Sequence, residues 1–176
     1  TEDYPDYCAH IPTNAHVIGQ GIVQIKWMPT TSQVTANESY TVAPLNVFGS
    51  CIIENLEVYC KNGRYCIHDD PIGDIRYTGA VKIYKGVKCY RYENDGDYGF
   101  NGCIGFGMDS SMHYEFIDCL FQNYEAEGTS FYMHDRCLLN HKQQLVPTIE
   151  SSDVIVKNCI IATSNNAETQ EGRYAV

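Results

Sequence analysis

Four segments of the chain, residues 52–58, 83–89, 115–121 and 155–161, carry one pattern of hydrophobic and polar positions. In a common register Asn55, Gly86, Asp118 and Asn158 share one position, and Leu56, Val87, Cys119 and Cys159 share the next. Two residues on come Val58, Cys89, Phe121 and Ile161. The segments recur at intervals of 31, 32 and 40 residues. A strand that returns at such spacing predicts a solenoid, in which each turn buries its apolar side only against its neighbours. Strands of successive turns would then pair in parallel about 4.8 Å apart. Asn, Gly and Asp at the shared position predict a bend there, because these residues tolerate turn backbone and bond to it.

A second recurring strand follows the first. Residues 64–69 (Arg-Tyr-Cys-Ile-His-Asp) resemble residues 130–135 (Ser-Phe-Tyr-Met-His-Asp), and Arg173-Tyr174-Ala175-Val176 begins the same way. Residues 103–108 fit between them when Ile104 and Phe106 match Tyr65 and Ile67. That alignment predicts two apolar columns: Tyr65, Ile104, Phe131, Tyr174 and Ile67, Phe106, Met133, Val176. Residues 16–25 read as an opening strand with a glycine-marked bend, and residues 40–50 alternate again. No window of a dozen residues keeps helical spacing, so the expected class is all-β. Residues 1–15 read as an entry segment or cap, and 16–176 as one domain of about four to five rungs. A minimal rung is shorter than these repeats, so the surplus should leave as loops, mainly over 69–79, 90–101 and 138–152.

With 176 residues, 44% of them hydrophobic, the chain can build a core. No apolar run reaches the ~18 residues of a membrane span, and no basic-apolar signal segment opens the chain. A net charge of −10 without a Lys/Arg cluster argues against nucleic acid as a partner. The nine cysteines are odd in number, lack metal-ligand spacing, and fall partly at inward positions. They are therefore expected as free thiols acting as small hydrophobes.

The glycine corner and strand at residues 46–58, with its Asn55-Leu56-Glu57-Val58 phrase, resembles the right-handed parallel β-helix superfamily, the pectate-lyase-like fold. Together with residues 64–70, it is similar to β-helix proteins of tailed phages and prophages. The resemblance covers about residues 16–176. It implies a tail-associated module that binds a host-surface polysaccharide, made in a bacterial cytoplasm and acting outside the cell as part of a virion tail. It also implies self-association as a trimer, and the strand pattern that runs to Val176 leads to the expectation of a contiguous chain, a partner chain or an oligomer over that edge. Other members of the fold are polysaccharide lyases or glycoside hydrolases, which gives the alternative activity.

If the chain is an enzyme, His68, Asp69, Asp70, His134 and Asp135 are the candidate catalytic residues. Two His-Asp steps would project across a notch at Gly107, two strand spacings or about 9.6 Å apart, too far to share one metal ion. A hydrolase needs two carboxylates about 5–10 Å apart. The plainer alternative is that Asp69 and Asp135 cap strand ends beside solvated imidazoles. The family's Asn-Thr-Asp, Gly-His-Gly and Arg-Ile-Lys signatures are missing. For binding, Tyr90, Tyr92, Tyr98, Phe100, Tyr132 and Arg136 offer apolar faces, hydroxyls and polar contacts suited to sugars. No cofactor is expected. Glu93, Asp95 and Asp97 superficially resemble a calcium loop but lack its terminal glutamate, so a solvated acidic turn is the alternative to a Ca2+ site.

Overall fold

A computed structural model describes residues 9–30, 43–69, 79–93, 95, 102–107, 112–124, 129–134 and 153–162. Thirteen strands and no helix occur among them. They are β1 (Ala9–Ile11), β2 (Ala15–Trp27), β3 (Leu45–Val47), β4 (Cys51–Cys60), β5 (Tyr65–Asp69), β6 (Val81–Lys85) and β7 (Lys88–Arg91). Then follow β8 (Gly102–Gly107), β9 (His113–Ile117), β10 (Leu120–Asn123), β11 (Thr129–His134), β12 (Asp153–Lys157) and β13 (Ile160–Ala162). All pairing is parallel. One sheet runs β1-β3-β5-β8-β11, and the other eight strands form a second sheet. β1 lies within the stretch expected to be an entry segment, yet it already pairs with β3.

In the larger sheet the repeats meet in the register read from the sequence. The first half of β4 pairs with β6 and its second half with β7. β9 and β10 follow, then β12 and β13. The break between each pair of half-strands is the shared bend. Asn55, Gly86, Asp118 and Asn158 all have positive φ, between 54° and 60°. Asn and Asp reach this left-handed region more readily than other side chains, and glycine reaches it freely. Backbone bonds run through the bend, with the Asp118 N–H donating to Lys157 O at 3.0 Å. The Asn158 side-chain amide donates to Asp118 Oδ1 at 3.2 Å and links two bends directly.

With the bends aligned, inward rows form on both sides of them. Ile53, Tyr84 and Phe116 make one row, and Leu56, Val87 and Cys119 another; all are buried. The smaller sheet contributes Leu45, Ile67, Ile104 and Phe106 to the same core. Phe106 closes the gap between sheets, its ring 5.0 Å from Tyr114 and 5.4 Å from Phe116. The seven described cysteines carry free thiols, and six are buried.

Gly86 is the one bend of the four without a side chain. A Cβ there would lie 2.7 Å from the Asn55 Oδ1 that packs over it. Gly86→Ala is therefore expected to lower unfolding free energy by about 1–3 kcal/mol, while Asp118→Gly changes it by under about 1 kcal/mol. Urea unfolding of both variants checks this, and equal losses would count against the bend as the register lock.

Candidate functional site

The outer face of the smaller sheet is built from the residues between its core positions. Because Leu45 and Ile67 face inward, Asn46 and His68 face outward, in register with each other and with His10 on β1. Gly105 continues the row on β8, and the backbone of Tyr132 on β11 is at the same level. Gly105 lacks a side chain for a reason: a Cβ there would lie 2.6 Å from the Tyr65 ring. That ring fills the notch and stacks on His68 at 5.7 Å, with the Arg64 guanidinium 4.9 Å above it. His10 stacks on Phe48 at 5.4 Å. Asn46 is 1% exposed, and neither its amide nitrogen nor its oxygen has a hydrogen-bond partner among the described residues.

This arrangement corrects the sequence alignment of the second strand. Tyr65 pairs with Gly102, and Ile67 with Ile104 and Phe131, a shift of two residues from the expected columns. His68 is consequently level with Gly105 and Tyr132, whereas His134 is level with Gly107. The two histidines are displaced by two strand spacings and two residues of rise, so they sit about 12 Å apart rather than in one row. The notch lies at Gly105 and is occupied. The physical reason is Asp69, which takes the inward place beside Phe106.

Asp69 is fully buried, and its carboxylate accepts from the Lys82 ammonium and from the Tyr84 hydroxyl. Lys82 is equally buried. The expected outer groove therefore lacks this carboxylate, and Asp69 does not cap a strand end against turn backbone. Burial pushes the Asp69 carboxyl above its ordinary range, against the opposing pull of Lys82 and Tyr84. Burial and the Asp69 charge push Tyr84 well above 10, so its hydroxyl keeps its proton. The Tyr114 hydroxyl donates to the Asp69 backbone carbonyl at 3.4 Å, and its ring lies 5.8 Å from the Lys82 nitrogen. A second buried cation, Arg91, donates to the carbonyls of Gly63 at 2.6 Å, Cys60 at 3.4 Å and Tyr92. It ties the end of β7 to the corner after β4.

The outer face of the larger sheet carries a polar and aromatic strip. Tyr59 and Tyr90 are paired in register and stack at 4.8 Å, and Tyr92 stacks on Tyr124 at 5.2 Å. Glu57 accepts from Gln24 and Tyr59, each at 2.9 Å, and from Lys88 at 3.1 Å. Lys26 lies 5.0 Å from the Tyr59 ring centre. Because rings stack along the ladder, neighbouring faces cover one another. Tyr124 stays open, at 48% exposure. Tyr90 and Tyr92 are thus brought into the strip, while Tyr132 and His134 are placed by backbone alone. Asp70, Tyr98, Phe100, Asp135 and Arg136 lie outside the described residues.

Tyr59, Glu57 and Gln24 were not singled out from the sequence, although a signal existed. Gln24 and Glu57 stand 33 residues apart and Glu57 and Lys88 stand 31, so extending the repeat to the opening strand aligns all three. In the acidic loop, the Asp95 carboxylate is engaged by Lys61 at 2.6 Å and by the Asn62 amide at 2.8 Å. Among the described residues no three His, Cys, Asp or Glu side chains are grouped to hold a metal ion. Comparison with family models, curated proteins and solved structures returns no match for this chain.

Two outcomes test this geometry. Gly105→Ala should expel the Tyr65 ring from the notch and cost about 1–3 kcal/mol of stability; a variant unfolding with the parent would refute the close contact. Glu57, held by its three donors, titrates below the ordinary carboxylate value of 4.5. Its contribution to stability is present above that value and is lost as pH falls through the lower folded one. The acid-side decline in stability should therefore be shallower in Glu57→Gln than in the parent, as read from urea midpoints between pH 7 and pH 2.

Proposed function

We propose that the chain is a binding module built as a right-handed parallel β-helix, recognising a surface polysaccharide as part of a phage or prophage tail. The observation that carries the reading is the outward strip of the larger sheet. It alternates carboxylate, amide, ammonium and phenol groups at strand spacing, from Gln24 and Lys26 through Glu57, Tyr59, Lys88 and Tyr90. A row of donors and acceptors repeating about every 4.8 Å suits an extended polymer of hydroxyls more than a single small ligand. Tyr124 adds an exposed ring at the side of this strip, where a sugar face can lie. Register repeats of 31 and 32 residues, positive-φ bends in each repeat, and the exclusively parallel pairing favour the β-helix reading of the architecture.

The alternative of a polysaccharide lyase or glycoside hydrolase has less behind it. Of its five candidate residues, Asp69 is enclosed and paired, and His68 and His134 are offset from one another. Binding to a panel of bacterial surface polysaccharides, measured by calorimetry, tests the main reading. The parent protein should bind at least one polymer, and Tyr124→Ala combined with Tyr90→Ala should weaken that binding about tenfold or more. Absence of binding across the panel, or undiminished binding by the folded double variant, refutes the assignment of this strip. Release of reducing ends or unsaturated products would move the assignment to the enzymatic alternative.

A further inference from the structure

The interior pair Asp69–Lys82 has the surroundings of a reaction centre rather than of a surface ion pair. Both side chains are without solvent exposure and in direct contact, and the second carboxylate oxygen accepts from Tyr84. Phe106 sits beside Asp69 in the sheet, and the Tyr114 ring flanks the Lys82 nitrogen. The pair bridges the two sheets, because Asp69 ends β5 and Lys82 lies in β6. We propose that Asp69 and Lys82 condense to an amide, a covalent cross-link that ties the smaller sheet to the larger one.

The chemistry balances without an outside reagent. In an interior that penalises separated charge, the Lys82 ammonium passes a proton to the Asp69 carboxylate and leaves a neutral amine beside a neutral acid. Burial already favours the protonated form of Asp69, which works in the same direction. The amine lone pair then attacks the carboxyl carbon. The Tyr84 hydroxyl donates to the oxygen on which negative charge collects, and its raised pKa keeps that donor protonated. Collapse breaks the bond to the other oxygen, which departs as water. That water carries the proton received from the ammonium and one released by the nitrogen as the amide forms. One C–N bond is made, one C–O bond is broken, and nothing is oxidised or reduced. Holding the partners in contact replaces an encounter in solution with an effective concentration on the order of 10⁵–10⁸ M. Exclusion of solvent opposes the return hydrolysis. A neutral amide also removes the desolvation penalty of two enclosed charges.

Mass spectrometry of the reduced full-length chain decides the matter. The expected intact mass is the sequence mass less one water, with the peptide containing Asp69 recovered joined to the peptide containing Lys82. Lys82→Met should return the full sequence mass, and Tyr84→Phe should lower the cross-linked fraction several-fold at a fixed time after synthesis. A parent chain at its full sequence mass with separate Asp69 and Lys82 peptides overturns the proposal, as does a water loss mapped elsewhere. That result comes from the parent protein, so it stands even if Lys82→Met fails to fold. Complete cross-linking in Tyr84→Phe would overturn the role given to Tyr84.

Discussion

The left-handed bend shared by Asn55, Gly86, Asp118 and Asn158 is the constraint on which the remaining structure depends. In parallel pairing, a slip by one residue moves every side chain to the opposite face. A backbone kink that recurs at the same place in each repeat removes that freedom, since kinked and straight strands cannot pair in register. The bends stack, the Asn158–Asp118 side-chain bond links two of them, and inward rows on both sides follow. Gly86 accommodates the Asn55 side chain of the preceding repeat, so even the exception to the Asn/Asp rule has a packing cause.

The same lock sends charged and polar residues inward where hydropathy alone would send them out. In β6, Val81 and Ile83 are the aliphatic positions, yet Val81 is 43% exposed while Lys82 and Tyr84 are fully buried. Pairing with β4 sets this phase, placing Tyr84 beside Ile53 and Phe116. A buried ammonium requires a partner, and Asp69 from the smaller sheet supplies it. Polar specificity and sheet-to-sheet docking therefore meet at one point. Arg91 does comparable work at the other end of the repeat, satisfying carbonyls at a corner that no strand can pair.

The exterior is divided by sheet. On the smaller sheet Tyr65 covers the glycine notch and His68 is largely enclosed. On the larger sheet the strip from Gln24 to Tyr90 presents hydroxyls, amides and charges at strand spacing, tied together by hydrogen bonds and a ring stack. A binding surface gains from such rigidity because little side-chain entropy remains to be lost on contact.

The sequence by itself determined the all-β class, the repeats and their intervals, the bend position, and the alignment of Leu56, Val87, Cys119 and Cys159. Each of these follows from local backbone preference or from a spacing that can be counted along the chain. It read Tyr90 and Tyr92 on or beside a loop, whereas Tyr90 lies in β7 and Tyr92 just past its end, and it mistook the level of Tyr65 and Ile67 by two residues. A shift of two preserves which face is apolar, so alternation cannot detect it. Only tertiary structure chose between the two levels, by bringing Asp69 to Lys82 and Tyr84 and by laying Tyr65 over Gly105. Those contacts join residues of two different sheets or of neighbouring repeats, and the energy of burying a charge with its partner is decided in space, not along the chain.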